Sequence, residues 1–134
     1  MESILRSAPV IPILTIQNAG NAIPLARALV AGGIRILEIP LRTAPALEAV
    51  AAIAGAVPEI MIGVGTVTDP IEFGRAQEGG ARFAISPGLR PGLAAAAKEA
   101  GMPYLPGVAT ASEIMEAVEL GFHHLKFFPA EAEG

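Results

Sequence analysis

A short apolar run, then a turn, then an alanine-rich stretch recurs along this chain, and that recurrence limits what it can fold into. The runs are Val10–Ile16, Ile36–Leu41, Met61–Val67, Arg82–Ser86, Pro103–Val108 and His124–Phe128, with starts about 20 to 26 residues apart. The segments between them read as helices at roughly Ala19–Ala31, Ala44–Ala56, Pro70–Gly79, Pro91–Ala100 and Ala111–Leu120. A short helix over Glu2–Ser7 precedes the first run. Pro45, Pro70 and Pro91 fall at helix starts, where a missing N–H costs little. Gly32-Gly33, Gly79-Gly80, Gly101 and Gly121 fall where helices must end in a left-handed residue. Thr110 or Ser112 can cap the fifth of these helices, with Glu113 favourably placed in its first turn.

Alternating strands and helices on short connections mean parallel strands joined by right-handed crossovers. Periodicity alone leaves a doubly wound open sheet or a (β/α) barrel. The barrel is favoured because Glu38, Arg42, Thr66, Ser86, Thr110 and Lys126 all lie late in their strands or just beyond. Barrels assemble their sites at that face, whereas open sheets bind at one switch point. Gly63-Val64-Gly65 is not a dinucleotide fingerprint, since it lacks the third glycine and an acidic residue closing the next strand.

At 134 residues the chain is one domain, residues 1–134, long enough to bury a core. With 52% hydrophobic and 16% charged residues it is not disordered, and its strands should be buried under the helices. A net charge of -4 and only nine Lys and Arg leave no basic face, which argues against a nucleic-acid partner. There is no cysteine, so neither disulfides nor thiolate chemistry is available, in keeping with the cytoplasm. Prolines and glycines interrupt every apolar run before it reaches membrane-spanning length. The opening segment carries Glu2, a single arginine and two prolines, unlike a signal peptide.

Lys126, one of two lysines, lies within the sixth apolar run. A lysine among Phe127 and Phe128 is either a strand-end residue, snorkelling or paired with a carboxylate, or an amine whose proton is destabilised by burial for nucleophilic use. Period-2 alternation puts His124, Lys126 and Phe128 on one face of that strand, and Glu38, Pro40 and Arg42 on one face of the second. If both faces point into a barrel, a carboxylate and an amine from different strands converge. Glu38 is then either half of a structural ion pair, with Arg42 or Lys126, or a proton-transfer group. His123-His124 is an adjacent pair on opposite faces, and no metal-ligand cluster is seen.

Five motifs in order go further. They are Leu37-Glu38-Ile39-Pro40-Leu41-Arg42-Thr43, Gly63-Val64-Gly65-Thr66-Val67, Phe83-Ala84-Ile85-Ser86-Pro87-Gly88, Pro106-Gly107-Val108 and Lys126-Phe127-Phe128-Pro129-Ala130-Glu131. On these, from about Ser7 onward, the chain resembles the bacterial 2-keto-3-deoxy-6-phosphogluconate (KDPG) and 4-hydroxy-2-oxoglutarate aldolases. The resemblance implies a metal-free and cofactor-free class I aldolase on an α/β TIM-barrel fold, acting on 2-keto acids as a cytoplasmic homotrimer. It implies cleavage of 2-dehydro-3-deoxy-6-phosphogluconate to pyruvate and glyceraldehyde 3-phosphate, and possible action on 4-hydroxy-2-oxoglutarate. By the same resemblance Lys126 is the Schiff-base lysine and Glu38 the general acid/base. Arg42, Thr66 and the peptide around Pro87 hold the pyruvate carboxylate, and Phe128 walls the pyruvyl unit. A sister family for the galactonate isomer shares Glu38-Ile39-Pro40-Leu41 but typically lacks an arginine at position 42, so Arg42 favours the gluconate type.

The sequence contains about six of the eight strand-helix units of such a barrel and no recognisable phosphate cradle, which barrels commonly build after strands seven and eight. Three readings follow: a C-terminally truncated aldolase, which is favoured; a non-enzymatic oligomerising fragment that keeps the site residues; or a short enzyme that closes its barrel through a partner. Unpaired edges on strands one and six would invite association.

Overall fold

The computed structural model describes every residue from Met1 to Gly134. Strands β1 (Ile36–Pro40), β2 (Met61–Gly65), β3 (Phe83–Ile85) and β4 (Tyr104–Leu105) pair in parallel in sequence order. β5 (Gly107–Val108) pairs in parallel with β6 (Lys126–Phe127). The helices are α1 (Glu2–Arg6), α2 (Ala22–Ala31), α3 (Ala46–Ala56), α4 (Ile71–Glu78), α5 (Pro91–Glu99), α6 (Ala111–Glu119) and α7 (Ala130–Glu133). A 3-10 turn over Ala19–Asn21 leads into α2, where the sequence suggests one continuous helix. The single turn of α7 follows a strand after which no helix is expected. Strand order never reverses, so there is no switch point of the doubly wound kind, and the wall is that of a barrel.

Proline accounts for where the expected strands shrink. Val10–Ile16 is not a full strand; it meets β1 only at the bridge Ile13–Glu38. There the Leu14 N–H donates to the Glu38 carbonyl and the Glu38 N–H to the Pro12 carbonyl, each at 2.9 Å. Pro9 and Pro12 have no N–H to extend the ladder. The run Pro103–Val108 divides at Pro106: its first half pairs with β3 and its second with β6. Arg82–Ser86 and His124–Phe128 shorten to the three and two residues of β3 and β6.

The helix ends follow the chemistry of their sequences. Gly33, Gly80, Gly101 and Gly121 take φ of 92°, 94°, 62° and 85°. Thr110, rather than Ser112, caps α6 in a reciprocal box with Glu113. Two backbone N–H groups, of Ala109 and Thr110, donate to the Glu113 carboxylate, holding it below its usual range.

Side-chain alternation separates two apolar clusters. Leu37, Ile39, Ile62, Val64, Ala84 and Tyr104 face the helices and join the larger one, against buried alanines such as Ala26, Ala49, Ala76 and Ala97. Ile36, Phe83, Ile85 and Leu105 face the other way, into the barrel, where Ile4 of α1 closes its floor. Ile11 packs on the interior cluster, Leu14 and Ile16 on the outer one. Ile13 therefore faces the interior beside Glu38. Both outer edges, the Val10–Ile16 segment and β6, lack a neighbour on their far side, as anticipated. Phe127 and the α6 residues Ile114, Met115 and Val118 are exposed.

Candidate active site

Glu38 sits at the centre of β1 with its side chain in the barrel and 4% of its surface exposed. Two glycines of β2 make room beside it. A Cβ on Gly65 would lie 1.7 Å from the Glu38 carboxylate oxygen, and a Cβ on Gly63 would lie 2.1 Å from the Phe83 ring. Gly63-Val64-Gly65 is thus a clearance for two bulky interior side chains rather than a phosphate loop. Burial pushes the Glu38 carboxyl above the usual carboxylate range, and the positive charges of Lys126 and then Arg42 pull it part of the way back. The Lys126 amine, distant in sequence, therefore shares one field with the Glu38 carboxylate and the Arg42 guanidinium.

Arg42 lies just past the end of β1, where its Nε donates to Thr66 Oγ1 at 3.0 Å. Thr66 closes β2 in a left-handed conformation, φ 56°, the only non-glycine residue with positive φ. Such strain concentrates where a side chain must be aimed against local preference. The terminal guanidinium nitrogens make no hydrogen bond to the protein and remain able to fork onto a carboxylate.

Lys126 enters from β6, its backbone N–H donating to the Pro106 carbonyl at 2.9 Å. Its Nζ lies 4.8 Å from the centre of the Phe128 ring, which places both side chains on one face as the alternation requires. The strand is half-buried, not buried as its composition suggests, because β6 is an edge strand paired on one side only. Pro87 adjoins the same region through β5. Gly107, which pairs with Lys126, has the Pro87 carbonyl directly over its α-carbon, where a Cβ would approach that oxygen to 2.2 Å.

Behind this turn is a buried polar chain that the sequence reading did not identify. Ser86 Oγ donates to the Gly88 carbonyl at 2.8 Å, so the Tyr104 hydroxyl, 2.6 Å away, is the donor to Ser86. Burial holds the Tyr104 phenol above its ordinary range. A tyrosine inside an otherwise aliphatic run was the available clue, since a buried hydroxyl needs a partner.

Two concavities in the surface lie elsewhere. One of about 930 Å³ opens at the strand starts, around Arg35, Glu59 and Arg82, and one of about 370 Å³ lies beside Met1, His123 and His124. The convergence of Glu38, Arg42, Thr66 and Lys126, flanked by Phe128 and Pro87, is instead in the open barrel interior near the carboxyl ends of β1, β2 and β6.

Residues 1–134 match the aldolase family described as KDPG and KHG aldolase. The chain is 49% identical over 133 residues to the KHG/KDPG aldolase of Escherichia coli K12, covering 99% of this chain and 62% of that one. It therefore spans less than two thirds of the length of that relative. It superimposes with a TM-score of 0.94 on the Zymomonas mobilis 2-keto-3-deoxy-6-phosphogluconate aldolase solved with 3-phosphoglycerate, at 45% identity over 99% of this chain and 63% of that one. The same score relates it to the Legionella pneumophila KDPG aldolase, which holds pyruvate as a covalent carbinolamine, at 45% identity over 98% of this chain and 64% of that one. These likenesses run through the elements that carry the convergent residues, and the chain belongs to the KDPG and KHG aldolase family.

Proposed function

We propose that this chain carries the imine-forming centre of a class I aldolase that cleaves 2-dehydro-3-deoxy-6-phosphogluconate to pyruvate and glyceraldehyde 3-phosphate. The observation that carries this reading is the buried Glu38 carboxyl lying within the field of both the Lys126 amine and the Arg42 guanidinium. Cleaving the C3–C4 bond of a 2-keto acid leaves an electron pair on C3. Lys126 adds to the C2 carbonyl, water leaves, and the resulting protonated imine accepts that pair as an enamine. Glu38 takes the C4 hydroxyl proton during cleavage and returns a proton to C3, a task suited to a carboxyl whose affinity for protons is raised. Hydrolysis of the imine releases pyruvate and restores the amine. Arg42, braced by Thr66, and the Pro87 peptide hold the pyruvyl carboxylate, while Phe128 walls the methylene side. The dual name of the Escherichia coli relative supports 4-hydroxy-2-oxoglutarate as a second substrate, giving pyruvate and glyoxylate. A cytoplasmic homotrimer is the assembly proposed with this activity.

The free edge of β6 and the exposed Ile114, Met115, Val118 and Phe127 favour a second reading, an oligomerising chain that retains these residues without turnover. Incubation with pyruvate and borohydride, followed by intact mass and peptide mapping, decides between them. A pyruvyl adduct on Lys126, lost in Lys126→Ala, is the expected result. An adduct on the exposed Lys98 instead, or none on folded protein, refutes an imine-forming centre in this chain.

A further inference from the structure

Neither Lys126 nor Arg42 grips the Glu38 carboxylate. The one ion pair in the chain joins Arg6 to Glu2, and the Arg42 hydrogen bond goes to Thr66. What locates the carboxylate is the space over Gly65. A Cβ there would meet Glu38 Oε1 at 1.7 Å, Cδ at 2.6 Å and Cγ at 2.9 Å, so the outer half of the glutamate lies across the glycine α-carbon. We infer that Gly65 is a positioning residue, whose missing side chain creates the slot that aims the Glu38 carboxylate across the barrel at substrate bound on Lys126.

Nothing else at residue 65 requires glycine. Its φ is not in the left-handed region, it lies inside β2, and the three atoms nearest the absent Cβ all belong to Glu38. An alanine there is compatible with the strand, and the flexible end of Glu38 is what must move. Gly63 differs, because the atoms crowding it belong to the packed Phe83 ring. In Gly65→Ala the carboxylate swings away from the site while the fold and the Lys126 amine remain.

This inference rests on the aldolase reading for its kinetic consequence but not for its structural one, and the two are measured separately. In ligand-free protein, the Glu38 side-chain carbon is titrated by ¹³C NMR in wild type and Gly65→Ala. The expected result is a midpoint that falls toward the ordinary carboxylate value in the variant, as the group leaves its buried slot. With pyruvate, Gly65→Ala should still be trapped at Lys126 by borohydride. Exchange of the pyruvate methyl protons should fall roughly 10- to 100-fold, the cost of misplacing a reacting group by about 1 Å. Adding Gly65→Ala to Glu38→Gln should cause no further loss, because the group it displaces is already inert. An unchanged titration midpoint overturns the inference, as does a loss of exchange that is undiminished in the Glu38→Gln background. If wild type forms no imine, the aldolase reading fails and the titration alone decides the role of Gly65.

Discussion

The hydrogen-bonded chain from Tyr104 through Ser86 to Gly88 leads to an asymmetric prediction. Ser86 is fully buried and Tyr104 is 3% exposed, so water cannot replace a lost partner at either. Tyr104→Phe keeps the ring and its edge contacts with Phe73 and Phe122, at centroid distances of 5.4 and 5.3 Å. It removes one bond, yet Ser86 still donates to the Gly88 carbonyl. The expected cost is about 1 kcal/mol, the net worth of a typical protein hydrogen bond. Ser86→Ala orphans two groups, the Tyr104 hydroxyl and the Gly88 carbonyl, at about 1–3 kcal/mol each. Its expected cost is therefore about 2–6 kcal/mol when the carbonyl finds no new partner. In the double variant the orphaned hydroxyl is gone, so Tyr104→Phe should restore about 1 kcal/mol or more to Ser86→Ala instead of adding its own cost. Urea unfolding followed by circular dichroism at constant pH measures all four corners of the cycle. Simple additivity, or a Tyr104→Phe cost equal to that of Ser86→Ala, would refute the donor order and the burial reasoning together.

Glu38→Gln should still form the imine but slow pyruvate methyl exchange by roughly 10²-fold or more, and unimpaired exchange would make Glu38 structural. Its pH dependence has a definite sign. The folded-state affinity of Glu38 for its proton is raised, so its stabilising contribution is full below about 4.5 and lost as pH rises through the folded value. Glu38→Gln should flatten that fall, and wild-type and variant denaturation midpoints that stay parallel as pH rises from about 4.5 through the folded value would refute it. Arg42→Lys should weaken pyruvate binding about tenfold, because an ammonium cannot both bond Thr66 and fork onto a carboxylate; calorimetric titration showing equal affinity would exclude the clamp. Gly63→Ala should cost about 1–3 kcal/mol by overpacking the Phe83 ring, with Phe83→Leu recovering part of it in the same urea assay; no destabilisation would show that the interior wall yields freely.

Much of the candidate site was legible before any coordinates, because its signals are local and periodic. Alternation along Ile36–Arg42 and His124–Phe128 put Glu38 and Arg42 on one face and Lys126 and Phe128 on another. The charges of Lys126 and Arg42 acting on buried Glu38 are the spatial counterpart of that pattern. The break at Pro106 and the shrinkage of Val10–Ile16 were harder to see. A proline is compatible with a strand edge, and only the neighbour's position decides which N–H groups are needed. The buried Ser86–Tyr104 chain joins residues on different strands, and no local pattern announces such a pair.

The order of strands and helices, the αL glycines that stop the helices and the family to which the chain belongs are all encoded in short-range pattern. Each is set by backbone geometry and side-chain period within a few residues, so sequence alone determined them. Tertiary structure decided how the wall uses its glycines. Gly63 and Gly65 fail in sequence as a dinucleotide motif, and only parallel register, which sets Glu38 and Phe83 beside them, gives them a role. It also decided that Lys126 is half-buried, since an edge strand stays partly open however apolar its residues are. Local sequence specifies which way a side chain points, but the space it meets there is set by the register and packing of distant strands.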